Sequence, residues 1–457
     1  MARARESIRF DRGTLELGPD APDVPRALWD PRTETRRAAA FHFHQLAAAA
    51  DVESRKLAGD LRDRWTRQPR DVAALELRPY QAQALASWNA FSQRGVVALP
   101  TGAGKTRVAI AAIFETGLSA AILCPTKALA QAWVEELRRH LPGEEIGLVG
   151  DGSRRVERVT VLTFESAYRH MDALGDRFGL IVVDEAHHFG SGARVEALEA
   201  SAAIARLGLT ATAPERGTEA AGRLEDLIGP TVFEMGYGDL VGTHLAKVSI
   251  VRIPVRLEID ERAEYEARTR VFLEMRRSFM RLYPQADVAE LLRGLGRTPD
   301  GRRALRDRAR ALELAAFPRA KRHLLRTLLE RHREDRSIVF TAFAENDYVA
   351  ARDNLVPVIT GETPARERQE ILAAFKEGRV RAIASARVLN EGIDVPEARV
   401  AIIVAGALGP REHVQRIGRV LRPAPEKQAV VYELVTSNTS DAQRAFARAK
   451  YAPQSSG

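Results

Sequence analysis

Val96-Val97-Ala98-Leu99-Pro100-Thr101-Gly102-Ala103-Gly104-Lys105-Thr106 lies just before the end of the first quarter of the chain. An apolar run of strand length ends in a turn holding two glycines, and a lysine and a threonine follow where a helix should begin. Gly102 and Gly104 let the backbone turn tightly, so that its N–H groups point inward at a phosphate. The helix that follows would add its positive N-terminal end. Lys105 supplies a point charge for β- and γ-phosphates, and Thr106 offers a hydroxyl to Mg2+. Leu99 stands where the general phosphate-loop pattern has its first glycine, while the Gly-x-Gly-Lys-Thr core is intact.

Similar apolar runs recur outward from this segment. In the first half they cover residues 96–99, 120–124, 159–163, 180–183 and 206–210. In the second half they cover 337–340, 380–385, 400–405 and 430–435, with helical patterns such as 129–140 and 366–375 between runs. Runs apolar throughout, separated by helix-length segments, predict parallel strands buried on both faces. The expected fold is therefore α/β, with two parallel-sheet units in tandem.

Two regions break the alternation. Residues 1–74 carry alternating segments at 7–10 and 14–17 and then an alanine-rich stretch, which predicts a small N-terminal α+β domain. Residues 260–317 are charged, helical in pattern and broken near Pro284 and Gly294. Residues 261–320 hold 14 basic and nine acidic side chains. Such a block reads equally as a solvated helical pair or as a basic arm that touches phosphates. The expected divisions are 1–74, 75–235 for the first α/β unit, 236–259 for the start of the second, 260–317 for a helical insertion, 318–447 for the rest of the second and 448–457 for a flexible tail.

At 457 residues and 45% apolar content the chain is long enough for two to four domains with sizeable cores. The net charge of +8 and a pI near 9.8 suit a polyanionic partner. Eight of the 69 basic residues are lysine and the rest arginine, an excess that reads mostly as a GC-rich genome. The single cysteine, Cys124, rules out an internal disulfide framework and fits a reducing compartment. Asp11 and Arg12 interrupt any signal-peptide core, and no apolar run approaches the roughly 18 residues of a membrane span. A cytoplasmic protein with no membrane partner is expected.

Asp184-Glu185-Ala186-His187 ends the most apolar run. A carboxylate there can reach a Mg2+ held near Thr106, which assigns Asp184 to the metal. Glu185 is then placed to take a proton from an attacking water. His187 and His188 lack the spacing and the cysteines of a zinc site. Gln415-Arg416-Ile417-Gly418-Arg419-Val420-Leu421-Arg422 puts Gln415, Arg419 and Arg422 on one helix face. Such a face is commonly only solvated. Beside the other two features it reads as a pair of arginine fingers for a γ-phosphate, and the nucleotide implied is ATP.

These residues resemble superfamily 2 helicases of the DEAH-box type, over nearly the whole chain. The resemblance implies two RecA-like motor domains. Leu77-Arg78-Pro79-Tyr80-Gln81 is similar to the segment before the phosphate loop, and implies that Arg78 and Gln81 bind ATP, with Gln81 at the adenine edge. Pro100, Thr101 and Ala103 join Gly102, Gly104, Lys105 and Thr106 in the implied ATP site. Pro125-Thr126-Lys127 resembles motif Ia, and Thr163 falls at motif Ic. With Thr341 of motif IV and Asn390 of motif V they imply contacts to a nucleic-acid strand. Thr210-Ala211-Thr212 resembles motif III, which with His187 and Arg216 implies coupling of hydrolysis to movement. Asn390-Glu391-Gly392-Ile393-Asp394-Val395-Pro396 resembles motif V, whose Gly392 and Asp394 imply ATP contacts. Gln415–Arg422 resembles motif VI. In the implied cycle ATP and Mg2+ bind between the domains, and the motor walks 3′ to 5′.

Within that superfamily the chain resembles prokaryotic XPB proteins. Ile8-Arg9-Phe10-Asp11-Arg12-Gly13-Thr14-Leu15 and Trp29-Asp30-Pro31-Arg32 are similar to the start of that family's damage-recognition domain. Gly190, Ile228-Gly229-Pro230 and His244-Leu245-Ala246-Lys247 match further family segments, and the block at 260–317 falls where the family carries its thumb. The resemblance implies a monomeric DNA helicase or translocase of DNA repair. It would act on duplex and single-stranded DNA, in the cytoplasm with the nucleoid, beside a separate nuclease. One departure stands out. The family carries an Arg-Glu-Asp element after motif III, thought to help separate strands. Here Glu215-Arg216 is followed by Gly217-Thr218, with Glu219 close by. The motor reading survives this change. A translocase or ATP-gated clamp that recruits a nuclease without efficient unwinding becomes the alternative, ahead of an RNA helicase.

Overall fold

The computed structural model describes residues 8–18, 21, 24, 26–47, 65, 71–150, 152–236, 239, 247–385, 398–405 and 428–449. The chain divides into two compact units, Met1–Asp239 and Leu240–Gly457.

The first unit is built on an eight-stranded sheet. Its strands lie in the order Thr231–Glu234, Arg94–Ala98, Ala205–Thr210, Leu180–Asp184, Ala120–Cys124, Val159–Thr163, Ile146–Gly150 and Ser153–Arg155. All neighbours run parallel except the last pair. The central strands are buried at nearly every position, as apolar runs covered by helices on both faces must be. The apolar runs predict these strands well. They do not announce Ile146–Gly150, Ser153–Arg155 or Thr231–Glu234, which lie towards the sheet's edges.

The expected N-terminal α+β domain is a four-stranded antiparallel sheet in the order Ile8–Asp11, Thr14–Leu17, Thr35–Ala39, Leu28–Asp30, followed by the short helix Phe43–Ala47. Gly13 lies close against Ala200 of the larger domain, and Phe41 meets a residue there that the sequence reading passes over. Arg206 is wholly buried near the start of its strand. Its guanidinium donates to the carbonyls of Leu227 (2.6 Å), Ser201 (2.7 Å) and Leu198 (3.0 Å). The Phe41 ring lies over it, 5.9 Å away, and Trp88 Nε1 donates to its own carbonyl at 2.9 Å. Burial and the charge of Arg94 lower the Arg206 pKa well below its ordinary value. The carbonyl fork therefore stands in for a counter-ion.

The second unit holds a five-stranded parallel sheet in the order Lys247–Val255, Gln428–Thr436, Val400–Ile403, Ser337–Phe340, Ala382–Ser385. Its helical block is three helices rather than a pair: Ile259–Leu282, Val288–Gly296 and Pro299–Ala316. The first break falls at Pro284 as expected. The second does not fall at Gly294, which lies inside the middle helix. It falls at Thr298, whose hydroxyl accepts from Gly301 N, with Pro299 opening the next helix. Phe272, Leu291, Leu295 and Ala304 give the block its own small core. Thr436 Oγ1 donates to Ala315 O (2.7 Å), and Ser440 N donates to Tyr265 Oη (3.0 Å), which tie it to the sheet. Among the described residues, no helix is long and apolar enough to cross a membrane.

Replacing Arg206 by alanine should lower stability by roughly 3 kcal/mol or more, because the buried carbonyls of Leu227, Ser201 and Leu198 each lose a charged donor and a large buried side chain is removed. Urea unfolding followed by tryptophan fluorescence reads this as a lower midpoint. An unchanged midpoint would mean that the fork is dispensable.

Candidate active site

Three parallel strands bring the sequence-predicted ATP residues to one edge. Ala98 pairs with Thr210, and Leu209 with Asp184. The phosphate loop, the Thr-Ala-Thr segment and the Asp-Glu-Ala-His box therefore leave the sheet side by side. The helix Lys105–Thr116 starts directly after Gly104, whose φ of +79° lies in the left-handed region that favours glycine. A Cβ added at Gly104 would lie 2.5 Å from Gln81 Nε2. Two side chains brace the loop from behind. Tyr80 Oη and Gln81 Nε2 both donate to the Ala103 carbonyl, at 2.8 and 2.9 Å. Arg78 N donates to Gln81 Oε1 (2.9 Å), and Gln81 is only 2% exposed. Gln81, expected at the adenine edge, is thus engaged with the loop backbone. Lys105 Nζ donates to Leu99 O at 3.1 Å. A backbone cradle with no room for a Cβ, a helix N-terminus and a lysine fit a polyphosphate. The Thr106 hydroxyl and the Asp184 carboxylate offer oxygen ligands of the kind Mg2+ takes.

Asp184 is nearly buried and held at both oxygens. Glu185 N donates to Oδ1 (3.0 Å) and Trp133 Nε1 to Oδ2 (2.9 Å). Glu185 has a left-handed backbone, φ +53°, which costs a residue with a side chain about 1–2 kcal/mol. Strain of this kind is found where a site needs a particular side-chain direction. His187 Nδ1 lies 3.5 Å from Glu185 Oε2 and 3.2 Å from Thr210 Oγ1. Thr210 Oγ1 donates to Thr212 O (2.9 Å), so the bond to His187 needs the Nδ1–H tautomer. His187, Thr210 and Thr212 thus form one hydrogen-bonded chain that lies beside the Glu185 carboxylate. His188 packs edge-on against Phe164. Burial and the neighbouring Asp184 charge push the Cys124 thiol well above its usual range.

The residues expected at a nucleic-acid strand fall in two groups. Cys124 pairs with Thr163, so Pro125, Thr126 and Lys127 open beside Thr163 at the same sheet edge. The hydroxyls of Thr126 and Thr163 cap helices, accepting from Leu129 N (3.3 Å) and Ser166 N (3.1 Å). What these positions can still offer a phosphate is the backbone N–H groups of two helix starts. Thr341, in the second unit, is wholly buried and donates to Asp347 Oδ1 (2.7 Å). Arg216 is exposed. Gly217 takes φ +80°, and Thr218 caps the helix Glu219–Leu227 by accepting from Ala221 N. Asn390, Gly392, Asp394, Gln415, Arg419 and Arg422 lie outside the described residues.

The chain matches the family "Xeroderma pigmentosum group B helicase damage recognition domain" over residues 8–55, "Type III restriction enzyme, res subunit" over 74–215 and "Helicase conserved C-terminal domain" over 320–424. It is 34% identical over 370 residues to DNA 3′-5′ translocase XPB2 of Sulfurisphaera tokodaii, covering 80% of this chain and 83% of that one. The chain belongs to the XPB family. A second XPB relative, DNA 3′-5′ helicase XPB of Kineococcus radiotolerans, is 32% identical over 82% of this chain, which spans 62% of that protein's length. Two solved structures share the fold: the Hef helicase domain of Pyrococcus furiosus (18% identical, TM-score 0.52, 82% of this chain and 98% of that one) and a Dbp5 variant of Saccharomyces cerevisiae bound to RNA and ADP BeF3 (16%, 0.55, 90% and 93%).

Within this XPB site, two contributors had no announcement in the sequence. Tyr80 sits beside Gln81 and looks like helix core. Trp133 lies on a stripe with Ala130, Val134 and Leu137, all buried, which also reads as core. Only the identity of the acceptor sets Trp133 apart. Gly104→Ala should weaken nucleotide binding about tenfold or more, since it adds left-handed strain to the clash with Gln81. Titration with a fluorescent ATP analogue checks this, with the melting temperature as the control for folding.

Proposed function

We propose that this chain hydrolyses ATP with Mg2+ to move 3′ to 5′ along DNA, as an XPB-type helicase or translocase of DNA repair. The observation that carries the reading is the convergence of the phosphate loop, Asp184-Glu185 and Thr210-Ala211-Thr212 on one sheet edge, in a chain of the XPB family. Lys105 and the loop amides hold the β- and γ-phosphates. When bound through Thr106 and Asp184, Mg2+ would neutralise charge on the phosphates. Glu185 takes the proton of the attacking water, and His187 passes the change in Glu185 to Thr210. Arg419 and Arg422 supply arginine fingers, and Gln415 orients the water. The helix starts at Thr126 and Thr163 hold strand phosphates through backbone N–H groups, which favours sequence-independent binding. Two relatives are named as DNA 3′-5′ translocase and DNA 3′-5′ helicase, and we carry both words over. We extend the reading to a monomeric motor in the cytoplasm with the nucleoid, working beside a separate nuclease.

A second reading rests on the loop after motif III. Gly217 and Thr218 serve there as a turn and a helix cap, and Glu219 pairs with Arg223. No pair of acids follows Arg216, which favours translocation or ATP-gated clamping over efficient strand opening. Strand displacement and translocation assays on 3′-tailed and 5′-tailed duplexes separate the two readings.

Lys105→Ala and Glu185→Gln should each abolish ATP hydrolysis while DNA binding persists, as measured by phosphate release and fluorescence anisotropy. Turnover near wild type in either variant would refute the site. If the helical block grips DNA, replacing the exposed Arg270, Arg277 and Arg281 by alanine should flatten the dependence of affinity on salt. The log–log slope should fall by about 0.7 for each single-strand phosphate that is no longer neutralised. An unchanged slope would leave the block as a solvated bundle.

A further inference from the structure

The helix Lys127–His140 joins two parts of the site that sequence motifs treat separately. It begins at Thr126, where a strand phosphate is proposed to bind. About two turns further on, Trp133 donates its indole N–H to Asp184 Oδ2 at 2.9 Å. Trp133 is 2% exposed and Asp184 8%. A buried indole N–H usually finds a partner, so the existence of a bond is unsurprising. The acceptor is what matters. It is the carboxylate assigned to the metal, and a bond to a charged acceptor in a dry setting is stronger than one between neutral groups.

The bonds from Glu185 N and Trp133 Nε1 to Asp184 differ in kind. The Glu185 N–H on Oδ1 belongs to the next residue and moves with the strand end. The Trp133 N–H on Oδ2 comes from a separate element. Ala130, Val134 and Leu137 seat that helix on the sheet through apolar packing, which permits small sliding motions of about 1–2 Å. A hydrogen bond depends steeply on distance and angle, so a fraction of such a motion at the 2.9 Å bond is enough to turn the carboxylate that accepts it. A pull at the helix start therefore reaches the carboxylate through one bond, without deforming the strand.

We propose that Trp133 is a positioning residue that lets strand binding at the start of its helix set the orientation of Asp184 towards Mg2+. The proposal rests on the ATP-site reading above. Trp133→Phe keeps an aromatic ring and removes the donor. The test is Mg2+-dependent binding of a non-hydrolysed fluorescent ATP analogue, with and without saturating single-stranded DNA. In the wild type, DNA should lower the Mg2+ concentration for half-saturation. In Trp133→Phe that concentration should rise about tenfold, the worth of one hydrogen bond to a charged group, and DNA should no longer shift it. Leu137→Ala loosens the same helix but keeps the bond, and should retain the DNA response. The proposal is overturned if Trp133→Phe keeps the wild-type Mg2+ dependence and DNA response, or if Leu137→Ala loses the response equally. Lys105→Ala, run alongside, separates the two levels. Analogue binding that is unaffected by Lys105→Ala refutes the site itself. Binding lost there but unaltered in Trp133→Phe refutes only the coupling.

Discussion

The in-register parallel pairing of Arg94–Ala98, Ala205–Thr210 and Leu180–Asp184 is the constraint on which the first unit depends. Parallel strands need crossovers, and crossovers deliver every strand's C-terminal end to the same edge. That edge is where the unit gathers its phosphate loop, its acid pair and its Thr-Ala-Thr segment. Side chains alternate along a strand, so a slip of one residue would turn Asp184 away from its present neighbours and bury an apolar side chain in its stead. The apolar cores above and below the sheet make such a slip costly. Packing thus sets the register, and the register sets the chemistry.

The same strand, Ala205–Thr210, also has a task at its other end. Arg206 gathers three carbonyls of the motor part there, and Phe41, just after the small N-terminal sheet, lays its ring over the guanidinium. Thr210 sits four residues on, about 13 Å away at strand rise. One buried strand therefore carries the guanidinium under the Phe41 ring and the hydroxyl bonded to His187. Their separation is fixed by backbone geometry rather than by a loop, so their relative placement needs no further contact to maintain it.

The sequence announced what local chemistry controls. Runs such as Leu180–Asp184 and Val159–Thr163 are apolar because both their faces are covered, and that shows without coordinates. Ile146–Gly150 has two glycines, and Thr231–Glu234 is only half-buried, so neither carries the pattern. The break near Gly294 was misplaced because a glycine can sit inside a short helix when Asp287 and Glu290 cap its start reciprocally. Gln81 shows a different limit. Its motif position says that it belongs to the nucleotide site, but not that both ends of its amide are engaged by Arg78 N and Ala103 O. Arg206 and Trp133 were illegible for the same reason. Each looks ordinary for its element, and its significance lies in which buried acceptors the fold brings to it.

The loop after the Thr-Ala-Thr segment is stabilised by contacts of its own, apart from those of the candidate ATP site. Every interaction that shapes the site comes from the phosphate loop, from strand ends or from helices packed on them. Residues 215–218 take part in none of those described above. Thr218 instead donates to Glu215 O and accepts from Ala221 N, a cap of the kind worth about 1 kcal/mol to its helix. Gly217 supplies the left-handed turn that brings the cap into place. Gly217 and Thr218 therefore suit the fold locally, and their bonds do not touch the chain from His187 to Thr212. The turn and cap at 217–218 are thus built from contacts separate from those that gather the phosphate loop, Asp184 and Thr210 at the sheet edge.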